Sequence, residues 1–243
     1  MVKGKVVVVT GGASGLGRVL VEDFISKGAK VAFTYKSSTE NAKALMDKYP
    51  GKVMGIQADA IDYHKALEVI EQTCEVFGTI DVLVNNASHA KDASILNQTY
   101  ENWDYTIKSV LYPSFNYTKA VADIFKEKKS GKIVTIGSIN GLRGREGSLA
   151  YSTAKSALIG FTKTIAKELG QYEVNCNLIA PGFINTDGQA DTSDLIKKLV
   201  LDECYIRKLT DPQAISNLVI FLSSESADSI TGEVYKIDCG QYM

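Results

Sequence analysis

A chain of 243 residues, 45% hydrophobic and 23% charged, has enough apolar material for one sizeable core and the balance of an ordinary soluble globule. Its formal net charge of −1 offers nothing to attract nucleic acid or an anionic membrane. Four scattered cysteines without a C-x-x-C pair, and only two histidines, argue against a disulfide scaffold and a histidine-based metal site; no metal is expected. No stretch approaches the roughly 18 apolar residues of a membrane span, and the short apolar run after Met-Val-Lys-Gly-Lys is too brief for a signal sequence. The chain is therefore expected to be a single cytoplasmic domain over residues 1–243.

Val6–Val9 is a continuous apolar run, the mark of a strand buried on both faces. It enters Thr10-Gly-Gly-Ala-Ser-Gly-Leu-Gly17 and then a helix with Leu20, Val21, Phe24 and Ile25 at helical spacing, closed by Gly28. Strand, glycine turn and helix is the setting in which a pyrophosphate approaches backbone closely and meets a helix N-terminus. The spacing is G-x-x-x-G-x-G, so the plain G-x-G-x-x-G fingerprint is not matched, and a purely structural turn is the competing reading. Val31–Tyr35 predicts a second strand ending in Tyr35-Lys36-Ser37-Ser38. One cation, two hydroxyls and no acid at that end favour a phosphorylated ribose over a free 2′-hydroxyl.

Val53–Gln57 predicts a third strand, with Asp59 after it suited either to a base-edge contact or to capping the next helix. Ile80–Val84 predicts a fourth, ending in Asn85-Asn86-Ala87-Ser88, where paired amides suit backbone bracing or a plain Asx-turn. Residues 101–129 read as helix, with Pro113 expected to kink it or start a new turn. The run Ile133, Val134, Ile136 then ends at Gly137-Ser138, a buried strand delivering a serine to its carboxyl end.

Tyr151 and Lys155 follow four apart in a helical segment, hence on one face. An ammonium beside a phenol lowers the phenol's pKa from about 10 towards neutrality, and Ser138 is placed to hold a carbonyl or hydroxyl oxygen. A sixth strand, Val174–Ile179, leads to Pro181-Gly182-Phe183-Ile184-Asn185-Thr186. Residues 186–208 are expected to form a substrate lid, and a last helix and strand close the chain. The alternation predicts an α/β fold: a doubly wound, Rossmann-type parallel sheet of about seven strands with helices on both faces. Ligands sit at the carboxyl ends of such strands, where the glycine turn, Asp59, Asn86, Ser138 and Pro181–Thr186 all fall.

On these residues, together with the closing Ile230-Thr231-Gly232, the chain resembles the short-chain dehydrogenase/reductase family over essentially its whole length. Within it, the chain is most similar to the branch of bacterial 3-oxoacyl-(acyl-carrier-protein) reductases. The resemblance implies hydride transfer between a nicotinamide cofactor and a ketone or secondary alcohol. NADP(H) is favoured and NAD(H) remains possible; the substrate implied is a 3-oxoacyl thioester of acyl-carrier protein or coenzyme A. It assigns Ser138, Tyr151 and Lys155 as catalytic. It assigns the cofactor to Gly11, Ser14, Gly15, Leu16, Gly17, Tyr35, Lys36, Asp59, Asn86, Ala87, Tyr151, Lys155, Pro181, Gly182, Ile184 and Thr186. It also implies a homotetramer packed through the helices at 101–129 and 148–169. Three positions depart from the family pattern: Val110 where an asparagine is usual, Ser88 in Asn-Asn-Ala-Ser, and Cys239 in Asp-Cys-Gly. An NAD-linked catabolic alcohol dehydrogenase and a non-catalytic cofactor-binding subunit are the alternative functions.

Overall fold

Alternating β1 (Val6–Val9) side chains face opposite cores: Val7 and Val9 enter one apolar cluster, and Val8 enters the other. A computed structural model describes residues 2–185 and 193–243. The first cluster is filled by α1 (Gly15–Ser26), α2 (Thr39–Lys48) and α8 (Pro212–Leu222). The second is filled by α3 (Tyr63–Phe77), α4 (Tyr100–Lys128) and α6 (Leu149–Gly170). Strands buried on both faces are why the sequence shows continuous apolar runs rather than alternation.

Between these helices lie β2 (Lys30–Tyr35), β3 (Val53–Gln57), β4 (Val82–Asn85), β5 (Gly131–Ile136), β6 (Val174–Pro181) and β7 (Val234–Ile237). All seven strands pair in parallel, in the order β3-β2-β1-β4-β5-β6-β7. The order reverses direction between β1 and β4, which opens a crevice at their carboxyl ends. This is the doubly wound sheet the pattern predicts. Two further helices are α5 (Asn140–Arg143) and α7 (Asp194–Glu203). Among the described residues, no helix is long and apolar enough to cross a membrane, and no cluster suits a metal ion.

One strand boundary shifts, and two readings left open are narrowed. β4 begins at Val82 rather than Ile80 and runs on to Asn85. Pro113 starts no new helix: α4 runs through it as one 29-residue element. Beyond the proline, Tyr117, Val121 and Phe125 pack the helix into the second cluster. Finally, Asp62 rather than Asp59 caps α3, its carboxylate accepting the His64 and Lys65 N–H groups. Gly28 does follow the end of α1 with φ +86°, a conformation glycine adopts without strain.

Candidate active site

The turn after β1 is shaped by glycine geometry and braced from β4. Gly11 and Gly15 have φ of +66° and +51°, and a β-carbon on Gly17 would run into the Gly11 carbonyl oxygen. The Asn86 side-chain amide donates to the carbonyls of Thr10 (2.9 Å) and Gly11 (3.1 Å). The Thr10 hydroxyl accepts the backbone N–H groups of Asn86 and Ala87, each at 2.9 Å. Bracing, not a bare Asx-turn, is therefore what Asn86 does. Ser14 caps α1 by position, but its hydroxyl makes no capping bond.

A cavity of about 420 Å³ opens over this turn, bordered by Ser14, Leu16, Gly17, Tyr35, Lys36, Ser37, Ser38, Asp59, Asn86, Ala87 and Ser88. It combines a glycine cradle at a helix N-terminus with one lysine and several hydroxyls, a donor set that fits a dinucleotide's phosphates. The Lys36 ammonium lies 2.7 Å from the Asp59 carboxylate, and that hydrogen bond raises the lysine's pKa. Burial pushes the Asp59 carboxyl upward, but the bonds from Lys36 and the Ile61 N–H outweigh it and leave it below the usual carboxylate range. The cation expected at the end of β2 is thus present in the cavity and shared with the acid after β3.

Leu16 separates this space from a second cavity of about 290 Å³, lined by Ser138, Asn140, Arg145, Ser148, Tyr151, Gly182, Phe183, Ile184 and Gln241. Ser138 follows β5, and its hydroxyl accepts the Asn140 N–H at 3.1 Å. Tyr151 lies in the first turn of α6, and Lys155, one turn on, is 3% exposed. The Lys155 ammonium donates to the Ile136 carbonyl at 2.7 Å and sits 5.5 Å from the Tyr151 ring centroid. Burial lowers the lysine's pKa to about 8. It also pushes the Tyr151 phenol up; the nearby Ser138 hydroxyl works against this and the Asp92 carboxylate adds to it. Burial thus acts on the phenol in the direction opposite to the one expected of the Lys155 ammonium near its ring. Val110 is 1% exposed and packs in an apolar cluster with Ala154, Leu158 and Leu178, against which Tyr151 rests.

Pro181 is buried at the end of β6, and Gly182 leaves no room for a β-carbon against Asp238 and Gln241. Ile184 forms an isolated bridge with Thr210 and borders the second cavity. Thr186 lies outside the described residues, as does the start of the expected lid; its remainder includes α7. Several residues the sequence did not single out complete the surroundings. The Asp92 carboxylate accepts the Tyr151 N–H at 3.0 Å. The Gln241 side chain accepts the Phe183 N–H at 3.0 Å and donates to Glu203 of α7 at 2.8 Å. Arg143 also reaches Glu203 at 2.8 Å. Each joins segments far apart in the chain, so no local pattern marks it.

A parallel sheet with this strand order, a braced glycine turn and a serine, tyrosine and lysine around the adjoining cavity defines a dinucleotide-fold oxidoreductase class. Residues 5–196 match the short chain dehydrogenase family, and the chain belongs to it: it is a short-chain dehydrogenase/reductase enzyme. The 3-oxoacyl-(acyl-carrier-protein) reductase of Escherichia coli is 36% identical over 241 residues, covering 99% of this chain and 98% of the relative. That of Aquifex aeolicus is 36% identical over 244 residues, with the same coverage. A Phe-to-Leu double variant of a Serratia marcescens short-chain dehydrogenase/reductase superposes with a TM-score of 0.92 at 31% identity, over 99% of this chain and 98% of that one.

Proposed function

We propose that this enzyme reduces the ketone of a 3-oxoacyl thioester, using NADPH. The observation that carries the reading is the placement of the Ser138 and Tyr151 hydroxyls on one cavity, with the cradle for a dinucleotide beside it across Leu16. A bound nicotinamide cofactor would supply the hydride. Ser138 holds the ketone oxygen by hydrogen bond, and Tyr151 delivers the proton to that oxygen as it becomes an alkoxide. A phenol kept neutral by burial is in the right protonation state for that donation at neutral pH. Lys155 places positive charge behind the phenol, favouring its anion once the proton has left. The 3-oxoacyl-(acyl-carrier-protein) reductases among the relatives support the substrate class.

Preference for the phosphorylated cofactor rests on Lys36, Ser37 and Ser38 around the first cavity and on the lack of an acid at the end of β2. Lys36 has three donors, so its ammonium can keep Asp59 and still meet a 2′-phosphate. Exposed Tyr112 and Phe115 on α4 support a homotetramer packed through that helix, and four free cysteines suit a reducing cytoplasm. The test is a panel of 3-oxoacyl thioesters and simple ketones assayed with NADPH and NADH. NADPH is expected to bind about ten- to a hundredfold more tightly, and Lys36→Ala to remove most of that margin. Equal binding of the two cofactors by the parent enzyme contradicts the cofactor reading.

A further inference from the structure

We infer that the substrate carries a carboxylate near its ketone, and that Arg145 binds it. The inference rests on the proposal that a ketone is reduced at Ser138 and Tyr151. Among the described residues, Arg145 is the one charged side chain bordering the second cavity, in company with those two hydroxyls. Its loop is shaped for presentation: Gly144 and Gly147 on either side have φ of +69° and +75°, and the Arg145 carbonyl accepts the Ser148 N–H at 3.1 Å. Arg143, two residues earlier, is fully engaged, bonding Glu203 at 2.8 Å and the Gln241 carbonyl at 3.2 Å.

Arg145 has no such partner among the described residues. Glu203 feels its charge but is committed to Arg143 and Gln241, and the neighbouring Glu146 is exposed. Among the described residues, the other polar groups bordering the cavity (Ser138, Asn140, Ser148, Tyr151 and Gln241) are neutral; the Glu203 and Asp92 carboxylates are not part of that lining and each already accepts hydrogen bonds from the protein. A guanidinium presents a planar fork that matches a carboxylate with two parallel hydrogen bonds. One cation balances a monoanion, which favours a carboxylate over a phosphate dianion. A cavity of about 290 Å³ with Arg145 on the same lining as Ser138 and Tyr151 suits a short acyl chain, with the charge a few carbons from the ketone. A 3-oxoacyl thioester whose short chain ends in a carboxylate meets both requirements.

The experiment compares the 3-oxoadipyl thioester of N-acetylcysteamine with its terminal methyl ester, which removes the charge at the cost of one added methyl group. The parent enzyme should favour the carboxylate, and Arg145→Gln should lower its kcat/KM about ten- to a hundredfold, mainly through KM. The methyl ester should respond by less than about threefold, and Arg145→Lys should restore part of the loss. Calorimetry with the unreactive adipyl thioester and its methyl ester reads the same preference without turnover. Reduction of the methyl ester as readily as the acid, or an equal loss for both in Arg145→Gln, overturns the inference while leaving ketone reduction standing. Reduction of neither by the parent refutes the ketone reading; equal calorimetric affinities for the two adipyl compounds then refute the Arg145 assignment separately.

Discussion

Lys155 is a charge held in the core, and its protonation sets a cost on the fold. Its pKa is lowered by burial to about 8, against an ordinary value of 10.5 in the unfolded chain. Between those values the unfolded chain binds a proton that the folded one does not, so stability rises with pH over that window. The penalty for burying the ammonium is fully present below pH ~8 and gone above pH ~10.5. Lys155→Met removes the penalty while giving up the bond to the Ile136 carbonyl. The net expectation at pH 7 is a gain of about 2 kcal/mol together with loss of turnover. Denaturant unfolding at pH 7 and at pH 10 checks this: the advantage should shrink at the higher pH. A variant less stable than the parent at pH 7 contradicts it. Cys239 carries a different strain, with φ of +56° at the position where the family usually has glycine.

Helix α6 presents Tyr151, yet its own N-cap residue, Ser148, makes no side-chain capping bond. The cap comes from the loop after β4: Asp92 accepts the Tyr151 N–H at 3.0 Å, and the Ala93 carbonyl accepts the Leu149 N–H at 3.4 Å. Asp92→Ala should cost about 1 kcal/mol and reduce kcat, because the first turn that carries Tyr151 loosens. Asp92→Asn keeps an acceptor and should recover most of the stability. Full stability and full kcat in Asp92→Ala would show that the loop does not hold the helix. The sequence showed the helix, its Tyr151 and Lys155 face and the preceding Ser138, because each rests on local spacing. It could not show Asp92, whose partner lies 59 residues away, nor choose Asp62 over Asp59 as the cap of α3. Both acids precede the same apolar pattern, and only the path of the chain separates their roles.

At the scale of the molecule, the two cavities follow from strand order. The reversal between β1 and β4 opens the first, and β5, β6 and α6 frame the second, with Leu16 bordering both. The parallel sheet was legible because the central strands are apolar runs followed by turn residues, and the cradle because glycine spacing has a backbone cause. The Lys36–Asp59 pair and the Arg143–Glu203–Gln241 junction were not legible, since they join segments that only the finished sheet brings together. The central claim is that Tyr151 donates the proton in ketone reduction. Its most direct measurement is the rate of NADPH oxidation with a 3-oxoacyl thioester by the parent and by Tyr151→Phe, alongside NADPH binding to each. The account predicts a rate lower by about a hundred- to ten-thousandfold with binding changed little, since phenylalanine keeps the packing and removes only the hydroxyl. A Tyr151→Phe enzyme turning over within a few-fold of the parent would contradict it.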